Sequence, residues 1–372
     1  MISKLRLSAF RAYERAELEF DEGFNRVIGR NGVGKTSLLE GLSYVGLGSS
    51  PWSERSGDVV MEGKSAAAVE GWGPERRQEV SIEMKRGGRK DVRLAGKRIP
   101  RLSELLGVFP TTAVGPREID LVKGSPGERR RLLDSVLCQM SSDYVEALSR
   151  FKKLLYERNA ALKGVSSGEM AGGHVLIDSW DSTLSPLAGR LMADRLVFVQ
   201  KLSRSASTIY DRITGGTGGK LSIEYSPTIR LKEGETGPGE IEEKYYERLV
   251  ARRKRDLDYG ETDLGPHRDD LDFKKDGRPL SRYGSWGQAR AASIAVLLAS
   301  SEILHGGTKS VVTLLLDDCF AELDPENTRR FVEIVADFGQ VVIASPRPLK
   351  SPSEEEGALF VFDDVGKIRR EK

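Results

Sequence analysis

At roughly 150 residues per domain, a chain of 372 residues has room for two or three domains and a sizeable buried core. Hydrophobic residues make up 38% and charged residues 31%, no apolar run approaches the roughly 18 residues a membrane-crossing helix needs, and two cysteines with three histidines argue against a disulfide scaffold or a zinc cluster. Lys and Arg number 58 against 56 Asp and Glu, a net charge of +2 that neither demands nor excludes a polyanionic partner.

Met1 to Phe10 mixes apolar residues with Lys4 and Arg6 and reads as a strand, not as the continuous apolar middle of a signal peptide; a soluble, cytoplasmic protein is expected. Strands follow at Ala16–Phe20 and Phe24–Ile28, then a helix over Lys35–Leu47. Short strands are expected near Gln78–Lys85 and Val92–Leu94. Here Met84 to Arg101 carries Lys85, Arg86, Arg89, Lys90, Arg93, Lys97, Arg98 and Arg101 against a single acid, Asp91. The segment is either a phosphate-seeking surface, with Arg252–Arg255 as the alternative, or a solvated hairpin whose charges guard a sheet edge.

Beyond Gly115 the pattern turns helical. Ser125-Pro126-Gly127-Glu128 is a capping box that opens a helix. Helical periodicity runs on through Asp143–Lys163, a Gly/Ser-rich break follows over Gly164–Gly173, and Asp178 suits the N-cap of a long helix reaching Tyr210. A strand over Lys220–Thr228 and a charged helix over Glu240–Leu257 come next. From Asp263 the α/β character returns: a strand, then helix Gly287–Leu304, strand Val311–Leu316, helix Pro325–Phe338 and strand Gln340–Ala344.

Gly29-Arg30-Asn31-Gly32-Val33-Gly34-Lys35-Thr36 fits the pattern GxxxxGK[ST], between a predicted strand and a predicted helix. Such a loop wraps backbone N–H groups around a phosphate chain, sends Lys35 to the β/γ-phosphates and offers the Thr36 hydroxyl to Mg²⁺, so ATP is the expected ligand. The metal needs a second ligand. The apolar strand Val311–Leu316 delivers Asp317 at its end with Asp318 beside it, a costly pair unless a cation or polar site receives it. Asp317 is expected to hold Mg²⁺, directly or through water, and Asp318 to orient or deprotonate the attacking water.

Ser285 and Gln288, within Tyr283-Gly284-Ser285-Trp286-Gly287-Gln288-Ala289-Arg290, form a second capping box, which capping alone explains. One helix and one strand later comes Asp317, with Ala321-Glu322-Leu323-Asp324 after it. Phosphate loop, capped helix, acidic strand end and a further Asp, in that order, are similar to the layout of ABC-type ATPase heads. Asp324 before Pro325 also reads as a plain N-cap. The long separation of Lys35 from Ser285 means that such a head is split by an insert.

The resemblance widens across Leu7–Tyr13 (LSAFRAY), the loop continuing into Ser37-Leu38-Leu39-Glu40, Gly124-Ser125-Pro126 with Arg129–Asp134, Tyr156-Glu157-Arg158-Asn159, Gly265–Leu271 (GPHRDDL), the Ser285 segment and Leu314–Asp324. Together these span nearly the whole chain and resemble the RecF family of recombination mediator ATPases, relatives of SMC-type heads. The resemblance implies an α/β fold, an ABC/SMC-type P-loop ATPase head of residues 1–115 and 262–372, split by a mainly helical arm of residues 116–261 with one or two strands. It implies a weak Mg-dependent, DNA-stimulated ATPase. The partners implied are double-stranded DNA with gap junctions, RecR with RecO, and a second copy in an ATP-dependent homodimer, with no membrane; the work implied is the loading of RecA in repair and replication restart. By the same correspondence Arg11, the loop from Gly29 to Ser37, Ser285, Gly287, Gln288 and Asp324 contact the nucleotide, Ser285 doing so from the opposing subunit. Thr36 and Asp317 would hold the metal, and Lys35, Asp317, Asp318 and Ser285 would form the catalytic group.

Some positions depart from the family. Trp286 stands where Gln is usual, no aromatic occupies Ala113-Val114-Gly115 before Pro116, and Val341–Pro346 offers Ser345 but no switch histidine. With the short Asp318 carboxylate in place of Glu, these imply slow turnover. Two rival readings are an ATPase subunit of a membrane transporter, which would carry its signature earlier, and a structural SMC-like clamp, which would need long heptad arms.

Overall fold

Alternate burial along β1 (Lys4–Phe10) and β2 (Tyr13–Glu19) puts Leu5, Leu7, Tyr13, Ala16 and Leu18 into one core, and the charged residues between them face out. The computed structural model describes residues 1–53, 55–75, 78–115, 120–167, 173–232, 234–319, 325–348 and 357–371. They divide into two compact units, residues 1–124, 205–221 and 280–372 in one and residues 125–204 and 222–279 in the other.

In the first unit β3 (Gly23–Ile28) runs into the glycine loop and α1 (Lys35–Leu47). Strands β4 (Ala66–Trp72), β5 (Glu79–Lys85), β6 (Lys90–Leu94), β7 (Lys97–Arg98) and β8 (Thr111–Val114) follow. An antiparallel sheet of order β2-β1-β4-β5-β6-β7 results. Strand β4 has no counterpart among the elements expected from sequence. Its Ala66-Ala67-Ala68 start favours a helix, and pairing with both β1 and β5 overrides that preference.

The second unit begins with α2 (Pro126–Met140), which opens on the expected capping box: the Ser125 N–H donates to Glu128 Oε2 at 2.8 Å. Helices α3 (Ser142–Ser166) and α4 (Gly173–Thr214), strand β9 (Leu221–Ser226), helix α5 (Pro238–Tyr259) and the hairpin β10 (Asp270–Lys275) with β11 (Arg278–Pro279) complete it, apart from the last turns of α4, which group with the first unit. Three corrections arise. Helix α3 runs through Gly164 to Ser166; residues 168–172 of the expected break lie outside the described set. Asp178 sits inside α4, where its carbonyl accepts from Ser182 and its carboxylate pairs with Arg253, so it caps nothing. The strands β9, β10 and β11 form one three-stranded sheet, and residues 262–279, expected in the head, group with the helices, whereas residues 205–221, expected in the arm, group with the first unit. Arg129 grips Asp270 through two hydrogen bonds of 2.6 and 2.8 Å, tying α2 to β10.

The chain returns to the first unit through the short α6 (Leu280–Tyr283), α7 (Trp286–Thr308), β12 (Thr313–Asp317), α8 (Pro325–Ala336), β13 (Gln340–Ser345), β14 (Leu359–Asp364) and β15 (Lys367–Glu371). A second sheet has the order β15-β14-β3-β13-β12-β8, parallel except for β15. Strand β12 is buried at every position, as a central parallel strand must be, hence its unbroken apolar run. Helix α1 lies against strands of both sheets, closely enough that a Cβ on Gly46 would come within 2.0 Å of Thr111 Oγ1.

Candidate functional site

Parallel pairing of β3 with β13 and of β13 with β12 brings Gly29, Asp317 and the start of α1 to one end of the sheet, the carboxyl end where α/β proteins bind ligands. The loop turns through left-handed backbone at Gly32 and Gly34, with φ of 83° and 117°. Arg30, Asn31 and Gly32 are exposed at its tip, Val33 and Ser37 are half-buried, and no side chain caps the N-terminus of α1, whose N–H groups therefore remain available to an anion. Lys35 is buried and donates to the carbonyls of Gly29 at 2.7 Å and Arg30 at 2.9 Å. Burial lowers the pKa of its ammonium, against the pull of Asp317 and Asp318.

The Thr36 hydroxyl donates to Asp317 Oδ2 at 2.8 Å. Burial raises the pKa of Asp317, and the Thr36 hydrogen bond opposes it. One hydroxyl and one carboxylate side by side form an all-oxygen pair that suits Mg²⁺, which typically takes one or two protein ligands and fills its octahedron with phosphate oxygens and water. Asp318 follows with φ of 48°, and its N–H donates to the Ala344 carbonyl at 3.1 Å. Ser285 and Gln288 close their capping box, Ser285 Oγ accepting from the Gln288 N–H at 3.2 Å and Gln288 Oε1 from the Ser285 N–H at 3.1 Å. Gly287 is exposed beside them, and Trp286, 65% exposed, carries the Lys123 ammonium 4.3 Å from its ring centre. Among the described residues no hydrogen bond or ion pair links Ser285, Gly287 or Gln288 to the phosphate loop. Asp324 lies outside the described residues.

Arg11 Nε and Nη2 donate to the buried carboxylate of Glu40 at 2.8 and 3.2 Å, and its Nη1 to the Asp58 carbonyl at 2.9 Å; among the described residues no hydrogen bond joins its side chain to the phosphate loop. The loop's supports were not legible in the sequence. The Tyr13 hydroxyl donates to the Gly34 carbonyl at 2.9 Å, the Gly366 N–H to the Val33 carbonyl at 3.0 Å, and Phe362 lies so near Gly29 that a Cβ there would stand 2.8 Å from it. Tyr13 falls within the LSAFRAY segment, but nothing in its spacing indicates a contact across 21 residues.

No helix among the described residues is long and apolar enough to cross a membrane. The family model of the RecF/RecN/SMC N-terminal domain matches residues 1–352. A DNA replication and repair protein RecF from Streptomyces avermitilis is 32% identical over 379 aligned residues, 99% of each chain. A solved structure of the recombination mediator protein RecF with ATP, in the RecFOR pathway, superposes with a TM-score of 0.88 at 28% identity, over 100% of this chain and 97% of that one. The Smc head domain of Pyrococcus furiosus, at 18% identity and a TM-score of 0.56 over 100% and 96% of the two chains, shares the fold. The chain therefore belongs to the RecF family of DNA replication and repair proteins, with an ABC/SMC-type ATPase fold.

Proposed function

We propose that the protein is a cytoplasmic Mg-ATP-dependent DNA-binding recombination mediator, a weak ATPase stimulated by DNA, that dimerises on ATP at gapped or junction DNA, works with RecR and RecO and helps load RecA. The observation that carries the nucleotide chemistry is the Thr36–Asp317 hydrogen bond in a chain of this family. The RecFOR pathway of its structural relative supports the choice of partners.

Thr36 Oγ1 and the Asp317 carboxylate would hold Mg²⁺, which draws negative charge away from the β- and γ-phosphates. Lys35 exchanges its two carbonyl partners for phosphate oxygens, and the loop's N–H groups orient the chain of phosphates. Asp318 orients a water or takes its proton; its left-handed backbone is a strained conformation of the kind that clusters at working sites. Ser285, at the exposed N-terminus of α7, lies on no element of its own phosphate loop and suits the γ-phosphate held by a second subunit. The first compact unit, residues 1–124, 205–221 and 280–372, acts as the head in this reading, and the second, residues 125–204 and 222–279, as its arm.

The DNA face is assigned to the β5–β6–β7 edge. Arg86 donates to the Met61 and Lys64 carbonyls, and Lys90 to the Gly48 carbonyl, so these two serve the fold. Arg89, Lys97 and Arg101 are exposed and form no ion pair or side-chain hydrogen bond among the described residues, leaving them for phosphates. Mass measurement during gel filtration, with and without Mg-ATP and a gapped duplex, tests the reading. Doubling of mass and retention of DNA only with Mg-ATP is expected; a monomer that leaves DNA free under all conditions overturns it.

A further inference from the structure

Lys35 binds the carbonyls of Gly29 and Arg30, in the first half of the phosphate loop; the second half is held from outside it. The Tyr13 hydroxyl donates at 2.9 Å to the Gly34 carbonyl, which also accepts from the Leu38 N–H at 3.0 Å, and the Gly366 N–H donates to the Val33 carbonyl at 3.0 Å. In a trans peptide the C=O and the N–H point in opposite directions. A donor on the Gly34 carbonyl therefore sets the direction of the Lys35 N–H, and one on the Val33 carbonyl sets that of the Gly34 N–H. Neither of these two N–H groups has a hydrogen-bond acceptor among the described residues, and both belong to the run that closes around a phosphate chain in a loop of this pattern.

Both outside donors are fixed by the fold. Tyr13 pairs with Phe10 across the β1–β2 turn, is fully buried, and has its ring centre 6.4 Å from that of Phe362 on β14. Burial pushes its phenol pKa above the usual range, so the hydroxyl keeps the proton it donates. Gly366 lies in the turn from β14 to β15 at φ 68°, where a Cβ would collide with the Ala12 carbonyl oxygen. The β1–β2 and β14–β15 turns thus touch each other as well as the loop, and each supplies it with one donor.

We propose that Tyr13 is a positioning residue for phosphate binding: together with the Gly366 N–H it holds two successive peptides of the loop, so that the Gly34 and Lys35 N–H groups face the phosphate chain before it arrives. Gly34, at φ 117°, has a freedom of rotation that other residues lack and needs such a restraint. Without the two turns, the second half of the loop would rest on the first turn of α1 alone. Donors already in place bind an anion without the cost of ordering them. Tyr13 acts through the backbone and takes no part in the chemistry.

The inference rests on the nucleotide site proposed above, and its test separates the two. Tyr13→Phe keeps the ring and removes the hydroxyl. Equilibrium binding of a fluorescent, non-hydrolysable ATP analogue with Mg²⁺ is measured, then its displacement by inorganic tripolyphosphate, a phosphate chain without base or sugar. Tyr13→Phe should weaken both ligands by the same factor, about fivefold, as the loss of one hydrogen bond of ordinary net strength predicts. Gly366→Ala, which forces the β14–β15 turn off Ala12 and away from Val33, should weaken both in the same way. The melting temperature of the nucleotide-free protein is read beside them; a role in packing alone would lower it and leave both affinities unchanged below it. Unchanged affinities in Tyr13→Phe, or a loss for the analogue that tripolyphosphate does not share, overturn the proposal. Should Tyr13→Phe melt below the assay temperature, Gly366→Ala decides by the same criterion. Failure of the parental protein to bind either ligand overturns the nucleotide site itself, and the proposal with it.

Discussion

The Thr36 hydroxyl and Asp317 Oδ2 meet at 2.8 Å across 281 residues of sequence. Helix α1 and strand β12 thereby share one oxygen cluster, reached from the phosphate loop on one side and from Asp318 on the other. Both residues lie in the same compact unit, so the chemistry expected of the site does not depend on the arm's placement.

Lys35→Ala should abolish stable ATP binding. The variant leaves the loop's N–H groups in place but removes its main countercharge to the β/γ-phosphates. Undiminished affinity in a nucleotide titration would contradict the assignment.

Asp318→Asn should bind Mg-ATP through the intact Thr36–Asp317 pair and hydrolyse it at least about a hundredfold more slowly, the range a positioned general base supplies. An ATP-dependent dimer should consequently persist longer. Hydrolysis at the parental rate would remove Asp318 from the mechanism.

Changing Arg89, Lys97 and Arg101 together to Ala should flatten the fall of log DNA affinity with log salt, because each phosphate that the protein no longer neutralises keeps about one counterion that binding would have released. Arg86→Ala, a change in a residue bound to the Met61 and Lys64 carbonyls, should lower stability more than it changes that slope. If the triple variant keeps the parental slope, the DNA face lies elsewhere, with Arg252–Arg255 as the next candidate.

Lys35→Ala and Ser285→Arg, each expected to hydrolyse poorly alone, should recover activity when mixed with ATP and DNA. In a mixed dimer one composite site collects both lesions and the other has Lys35 and Ser285 intact. Were both residues to serve one ATP within a chain, no mixed dimer would hold a sound site. Mixed dimers seen by mass measurement without recovered hydrolysis would count against sharing.

In the second unit, Arg158 is fully buried and binds Asp181 Oδ1 at 2.7 Å, Asp256 Oδ2 at 2.8 Å and Thr262 Oγ1 at 2.6 Å. Arg158→Ala leaves two buried carboxylates short of their countercharge and should cost about 3–5 kcal/mol. Chemical denaturation monitored in the isolated variant checks this; a loss below about 1 kcal/mol would mean that water replaces the guanidinium.

The sequence by itself determined the parts of the site whose chemistry is local. A glycine loop with Lys35-Thr36, the Ser285–Gln288 capping box and an acid pair at the end of an apolar strand each follow from interactions within a few residues, and the structure contains the loop, the box and the strand end where they were expected. Only the tertiary structure decided what depends on partners far along the chain. Pairing on both edges turned the alanine-rich β4 into a strand, and packing against α1 paired the Arg11 guanidinium with the buried Glu40. Tyr13, Phe362 and Gly366 came to the phosphate loop by packing alone. A side chain's propensity is written in its own neighbourhood, whereas its hydrogen-bond partner is set by which segments the buried core forces together.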